Sequence, residues 1–233
     1  MRIAVISDIH SNFQALERTF EVIDQLAVDQ VFCLGDIVGY GPAPNECIAL
    51  VRERCAVTVR GNHDSGAIDE LPLDHFNSYG ESAMRWTRKQ LTEENAAFLR
   101  NLPFLHVQDS ITLAHAAPLN PQSWRYIFAW PDAQRCFAAF STPYCFIGHT
   151  HVPVVVGENG SVNRFQPGIR FLINVGSVGQ ARDGNPKASF GLLDTDKKTV
   201  DIVRLDYDIE GAAQAILKAN LPDYLAHRLF MGI

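Results

Sequence analysis

Five short apolar runs in this chain each end, within a few residues, on a side chain able to bind a metal ion. Ile3-Ala4-Val5-Ile6 leads into Asp8 and His10, Val31-Phe32-Cys33-Leu34 into Asp36, and Ala56-Val57-Thr58-Val59 into Asn62 and His63. Ile111-Thr112-Leu113-Ala114 leads into His115, and Tyr144-Cys145-Phe146-Ile147 into His149 and His151. Continuous apolar runs of this length read as strands buried on both faces. In open α/β sheets the crevice beyond the carboxyl ends of the strands is where ligands bind. Side chains far apart in sequence are thereby expected to meet in one cleft.

The segments between the runs support this. Phe13, Leu16, Phe20, Ile23 and Leu26 carry helical spacing, with Ser11 or Asn12 as the cap, and a second helix over Asn45 to Arg54 follows Pro42 and Pro44. Strand, helix, strand, helix, strand predicts parallel pairing through right-handed crossovers. After Asp64 the strand-like runs stop. The stretch 65–103 reads as a helical insertion, with helices at about Asn77 to Gln90 and, capped by Thr92, about Glu93 to Asn101. Strands are expected at Phe104 to Val107 and Ile111 to Ala114, then a loop rich in Pro and aromatic residues over Pro118 to Pro131, and a short helix to about Phe140.

From Tyr144 onward the pattern reads as antiparallel, through Pro153 to Val156, Ser161 to Phe165, Arg170 to Val175, Ser189 to Leu193 and Val200 to Leu205. Turn residues stand at Glu158-Asn159-Gly160 and at Asp194-Thr195-Asp196-Lys197. Helices at about Glu210 to Ala219 and Pro222 to Leu229 follow. The expectation is one domain over 1–233 of the α/β class, a layered β-sandwich of two mixed sheets flanked by helices.

Composition narrows the chemistry. Carboxylates, imidazoles and an amide oxygen, without a thiolate, suit Mn²⁺ or Fe²⁺/Fe³⁺, and Zn²⁺ also fits; the imidazoles count against Mg²⁺ and Ca²⁺. The five cysteines are odd in number, form no Cys-x-x-Cys pair and mostly lie in apolar runs, so they read as small buried hydrophobes. A net charge of −6 argues against nucleic-acid polymers and anionic membranes as partners. It does not argue against a small phosphorylated substrate, because two bound cations reverse the local sign. No stretch approaches the roughly 18 apolar residues of a transmembrane helix, and a carboxylate at Asp8 comes too early for a signal peptide, which predicts a cytoplasmic protein.

In their order, Asp8-x-His10, Gly35-Asp36, Gly61-Asn62-His63-Asp64, His115 and Gly148-His149-Thr150-His151 resemble the calcineurin-like metallophosphoesterase superfamily. The resemblance implies a four-layer fold and two divalent ions. One would be held by Asp8, His10, Asp36 and His151, the other by Asp36, Asn62, His115 and His149, with Asp36 bridging. His63 would be the general acid and Asp64 its orienting partner. Gly35 to Pro42 and Asn174 to Gly184 look like the small prokaryotic phosphodiesterase-like branch. Protein Ser/Thr phosphatases of the superfamily carry an Arg shortly after Gly-Asp, where this chain reads Gly39-Tyr40-Gly41, which weakens that alternative.

The resulting expectation is a hydrolase of phosphodiester, phosphomonoester or nucleotide polyphosphate bonds. Paired cations lower the pKa of a shared water and orient it in line with phosphorus, while His63 protonates the leaving oxygen. Asn12, Trp124 in the aromatic loop, and Arg182 on the Gly-rich loop are the candidate substrate contacts. His106 lies on an alternating strand and reads as an ordinary polar-face residue. A scaffold module of the same fold is the main alternative, with His63 as the residue a scaffold would not need. A nuclease on long polymers would need a basic stripe that the chain lacks.

Overall fold

The computed structural model describes residues 1–166 and 168–233. The first half comprises β1 (Arg2–Ile6), α1 (Phe13–Gln25), β2 (Gln30–Cys33), α2 (Pro44–Arg54), β3 (Val57–Thr58), α3 (Asn62–Ala67), α4 (Ser78–Gln90), α5 (Glu93–Arg100), β4 (Leu105–Gln108) and β5 (Ile111–Ala114). The second comprises α6 (Trp130–Cys136), β6 (Tyr144–Ile147), β7 (Val154–Gly157), β8 (Phe171–Asn174), β9 (Ala188–Asp194), β10 (Thr199–Leu205), α7 (Ile209–Lys218) and α8 (Asp223–Met231). The strands form two mixed five-stranded sheets, ordered β10-β9-β1-β2-β3 and β4-β5-β6-β8-β7.

The period-two alternation of the strands explains the layering. From β1, Ile3 and Val5 point into the space between the sheets, where they meet Ile111, Leu113, Phe146, Phe171 and Ile173 of the other sheet. Ala4 and Ile6 point the opposite way, onto Leu16, Phe20 and Ile23 of α1 and Ile48 and Val51 of α2. On the outer face of the second sheet, Ala114, Cys145, Ile147 and Leu172 pack against Ala133 and Cys136 of α6. Both faces of the central strands are covered, and for that reason β6 is apolar throughout and β1 from Ile3 to Ile6. Each fully buried Ile or Phe there contributes about 1.5–3 kcal/mol. The cysteines are free, and all but Cys55 are buried.

The expected α/β class with two mixed sheets holds, but the second half is wired differently from the antiparallel reading. β6 lies parallel between β5 and β8, and only β7 runs antiparallel to β8. β9 and β10 leave that sheet altogether: β9 pairs antiparallel with β1, extending the first sheet. The segment Ser161 to Phe165 makes one isolated bridge, Val156 to Val162, in place of a strand. Val162, Asn163 and Arg164 are exposed, so the segment buries too little apolar surface to extend that bridge into a strand. The stretch 65–103 carries the end of α3, then α4 and α5. No helix among the described residues is long and apolar enough to cross a membrane.

Because β1, β2 and β3 are parallel in one sheet and β5, β6 and β8 in the other, both sheets present carboxyl ends on a shared edge. Hydrogen bonds join the sheets there, among them these two. His149 N–H donates to Asp8 Oδ2 at 2.9 Å, and His115 Nδ1 reaches the Leu34 carbonyl at 2.9 Å.

Candidate metal centre

The loops that leave these strand ends are held in conformations that side chains ordinarily avoid. Asp8 (φ 53), His10 (φ 51), Asp36 (φ 50), Tyr40 (φ 59), His149 (φ 68) and His151 (φ 61) all occupy the left-handed region. Each such residue costs on the order of 1–2 kcal/mol, and residues so strained persist where the surroundings over-determine them. Here the surroundings are main-chain bonds between loops. Ile9 N–H and His10 N–H both donate to the Asp36 carbonyl, at 2.9 and 3.0 Å, and Gly179 N–H donates to the Asp8 carbonyl at 3.0 Å. The approach is close enough to require glycine at 148, where a Cβ would overlap Ser7 Oγ and Asp8 Oδ2.

Four imidazoles point into the pocket so formed, and each has one ring nitrogen tied to a backbone carbonyl. Nδ1 of His10 meets Val38 O at 3.2 Å, Nδ1 of His115 meets Leu34 O, Nδ1 of His151 meets Gln180 O, and Nε2 of His149 meets Trp124 O at 3.0 Å. A carbonyl only accepts, so those nitrogens carry the protons and the opposite nitrogens present lone pairs. The lone pairs converge. His10 Nε2 lies 3.1 Å from His151 Nε2, which lies 3.2 Å from Asp8 Oδ1. His115 Nε2 lies 3.3 Å from Asp36 Oδ2 and 3.2 Å from Asn62 Oδ1. Asp8 Oδ1 is buried and makes no hydrogen bond among the described residues.

Two acceptor nitrogens facing each other across 3.1 Å, beside a buried carboxylate oxygen without a donor, are reconciled by a cation between them. The donor set fits that role. Asp8, His10 and His151 form one group whose ligand atoms lie within 4.8 Å of one another; Asp36, His115 and His149 form a second, and His10, Asp36 and His63 a third.

Electrostatics agree with the geometry. Burial works to raise the Asp8 and Asp36 carboxyls, but the facing imidazoles, His151 for Asp8 and His115 for Asp36, outweigh it and hold both well below the usual carboxylate range. Burial pulls His149 down to about 3, with His115 adding to the effect, and lowers His10 and His151 as well. His115 alone is raised, to about 9, because Asp36 overcomes the burial that opposes it. The pocket therefore combines ionised carboxylates with largely neutral imidazoles, a ligand set for cations.

Of the residues singled out from sequence, Asp8, His10, Asp36, Asn62, His63, His115, His149 and His151 come together. Four others stand differently. Asp64 does not touch the His63 ring: its carboxylate accepts from the N–H groups of Asp36, Ile37, Val38 and Gly61, at 2.8 to 3.3 Å, and so pins the loop carrying Asp36 to the start of α3. His63 Nδ1 is buried without a hydrogen-bond partner among the described residues. Asn12 is the cap of α1, with Oδ1 accepting from Ala15 N–H and Nδ2 donating to Gly179 O at 2.8 Å, so its amide is committed to the fold.

Trp124 is half-buried between Phe104 and His115, and it is Tyr126 that stacks on His149, at 3.9 Å and 20°. The wall continues outward to Phe128, which lies 5.1 Å from Tyr126 and is 74% exposed. The Arg182 guanidinium is held by Gln180 Oε1 at 2.9 Å and extends over the Tyr40 ring. Sequence reasoning passed over Asn174. This buried amide donates to Gly148 O at 2.6 Å and Thr150 Oγ1 at 2.9 Å, and accepts from Gly176 N–H, so it sets the loop that carries both His149 and His151. Its place in the Asn174-Val175-Gly176-Ser177 stretch was the available signal.

Comparison with known proteins follows the same lines. Residues 1–198 match the model of the calcineurin-like phosphoesterase superfamily domain. An uncharacterized protein of Methanocaldococcus jannaschii is 42% identical over 99% of this chain and 98% of its own. The crystal structure of a metallophosphoesterase from Sphaerobacter thermophilus superposes with a TM-score of 0.90 at 38% identity, covering 100% of both chains. The phosphodiesterase YfcE of Escherichia coli K12 is 27% identical over 86% of this chain and 91% of its own. With the motifs, the two-sheet architecture and the domain model in agreement, the chain belongs to the calcineurin-like phosphoesterase superfamily.

Proposed function

We propose that the chain is a binuclear-metal phosphoesterase acting on small phosphorylated substrates. Asp8, His10, Asp36 and His151 hold one divalent ion, and Asp36, Asn62, His115 and His149 hold the other. The observation that carries this reading is the convergence of lone pairs from four backbone-anchored imidazoles on two carboxylates, with Asp36 lying within reach of both sets. The nitrogen-rich, thiolate-free donors suit manganese or iron, and Zn²⁺ also fits. When bound, such a pair supplies a water of lowered pKa and neutralises charge on the phosphoryl oxygens.

The remaining work falls to the chain. His63 sits beside this group, its ring 4.7 Å from that of His10 and 4.9 Å from Phe76 of the helical 65–103 segment, where it can hand a proton to the leaving oxygen. Its backbone N–H donates to Asp36 Oδ1 at 2.8 Å, which fixes the bridging carboxylate. The exposed Tyr126 and Phe128 rings, in the place expected of Trp124, offer a stacking face for an aryl or base group. A scaffold role is disfavoured because the donor set is complete and His63 is present.

Chelation tests the proposal. Protein stripped of metal is expected to lose hydrolysis of bis-p-nitrophenyl phosphate and to regain it with Mn²⁺; a rate that survives stripping would remove the metal from the account. A panel of p-nitrophenyl phosphate, cyclic nucleotides, ATP and dinucleoside polyphosphates then ranks substrates. Asn174→Ala is expected to lower metal affinity or activity by about 10–100-fold, as loss of a group orienting metal ligands does. Metal titration of the variant checks this, and wild-type affinity together with wild-type turnover would show that the 148–151 loop holds its shape without the amide.

A further inference from the structure

Each of the four imidazoles of the lone-pair cluster is oriented by a backbone carbonyl, and His63 is not. Among the described residues its Nδ1 is buried without a hydrogen-bond partner, and the nearby Asp64 carboxylate is spent on four backbone amides. What surrounds the ring is other rings. His10 lies 4.7 Å away at 79°, Tyr40 4.5 Å away at 47°, and Phe76 4.9 Å away at 71°. The backbone of Gly39 completes the enclosure, so close to His63 Nδ1 that a Cβ there would overlap the nitrogen. His63 is only 4% exposed as a result.

Phe76 comes to this enclosure from outside the motifs. It follows the single turn Leu73–His75 between α3 and α4, within the segment 65–103, which supplies none of the clustered ligand atoms. Two glycines make room for it. A Cβ on Gly66 of α3 would come within 2.8 Å of the Phe76 ring, and one on Gly80 of α4 within 3.3 Å of Phe76 Cβ and 3.5 Å of the Tyr40 ring. The two helices are also tied to each other and to the turn. Arg88 Nε, from α4, donates to the Gly66 carbonyl at 2.8 Å, and Asn77, next to Phe76, caps α4 by accepting from Gly80 N–H at 2.9 Å. Phe76 is thereby wedged between helices in a T-shaped contact with His63, a geometry that aromatic pairs favour. Among the described residues it packs on no other ring of the site.

We propose that Phe76, together with Tyr40, is a positioning residue for His63, holding the general acid by packing where the other imidazoles use a hydrogen bond. The segment 65–103 then serves the reaction through that one ring. A general acid must lie within hydrogen-bond reach of the oxygen it protonates, and a misplacement of about 1 Å can cost on the order of 10²-fold in rate. An imidazole tied by no hydrogen bond keeps its rotamer only if its neighbours leave no space for another. This rests on the phosphoesterase reading above and assigns the residues that aim its general acid.

Two readouts test this, one of them independent of turnover. In the zinc-loaded protein, which is diamagnetic, ¹³C relaxation of the His63 ring, identified by the signal lost in His63→Ala, is expected to give an order parameter of about 0.85 in wild type, as for rigid backbone, and below about 0.6 in Phe76→Ala. With Mn²⁺, Phe76→Ala is expected to lower kcat on diphenyl phosphate by about tenfold or more and on bis-p-nitrophenyl phosphate by less than about twofold, because p-nitrophenolate departs without a proton. Metal content should not change, and Phe76→Leu, which restores bulk, should recover most of the loss. In a His63→Ala background Phe76→Ala should add nothing, since the ring it acts through is gone. Melting temperatures identify any variant that fails to fold. Gly66→Ala, whose new Cβ meets Phe76 before any other side chain and which suits a helix, should then reproduce the split between the two esters. A mobile His63 ring in wild type, an unchanged order parameter in Phe76→Ala, equal losses on both esters, or independent losses in the double variant would overturn the positioning role. Failure of wild type to hydrolyse any ester with Mn²⁺ would instead overturn the phosphoesterase reading, and the order parameter is read in either case.

Discussion

Asp36→Asn is expected to reduce kcat/KM by at least about 10³-fold, on the order of 4 kcal/mol in transition-state stabilisation. The substitution is nearly isosteric, and an amide oxygen can still accept the 2.8 Å hydrogen bond from His63 N–H. What it removes is the negative oxygen, Oδ2, that lies 3.3 Å from His115 Nε2 and 3.7 Å from His10 Nε2. If one carboxylate serves both ions, its neutralisation weakens both together, so the metal content of the purified variant should fall well below that of wild type. The fold should survive, since Asp36 is 1% exposed but the loop around it is anchored by the Asp64 carboxylate and not by its own. A variant that retained two ions per chain, or full activity, would refute the bridging role.

The second large effect is expected at His63. Its replacement by Ala should leave metal content unchanged and slow esters of poor leaving groups by about 10²–10⁴-fold, the range of general acid catalysis, with a much smaller loss for p-nitrophenolate, which departs without a proton. Burial pulls the His63 ring down to about 4, with the positive field of Arg182 adding to that and the Asp36 carboxylate opposing it. The free protein at neutral pH therefore presents a neutral ring. A phosphate anion bound beside it favours the charged form, so protonation is coupled to substrate binding. Among the described residues no carboxylate locks the ring, because Asp64 is committed to four backbone amides and His63 Nδ1 has no hydrogen-bond partner. Measurement of kcat across a series of leaving groups decides the matter. Equal losses for good and poor leaving groups, or loss of metal, would mean that His63 serves the ions and not the departing oxygen.

These expectations separate what local sequence reports from what it does not. Apolar runs announced the buried strands because a strand covered on both faces buries apolar side chains on both, as β6 does throughout and β1 does from Ile3 to Ile6. Helix starts were equally readable, since Asn12, Asn77 and Thr92 each cap through a side-chain oxygen three residues ahead of the amide they bind. The same reasoning did not reach the other partners of Asn12 and Asp64, because Asn12 Nδ2 is spent on Gly179 O and the Asp64 carboxylate on the amides of Asp36, Ile37 and Val38, none of which sequence spacing brings near. It also preferred Trp124 to Tyr126, because an aromatic-rich loop does not reveal which ring turns inward.

Residue types and their order were enough to show a metal-ligand set, carboxylates, imidazoles and one amide at the ends of buried strands, in the order of a single family. That β9 and β10 join β1, that β6 runs parallel between β5 and β8, and that Tyr126 and not Trp124 stacks on His149 became visible in the fold alone. The physical reason is range. Residue type and periodicity record what each segment buries locally, whereas pairing partners, lone-pair directions and the neighbours of a cation are set by contacts between segments far apart in the chain.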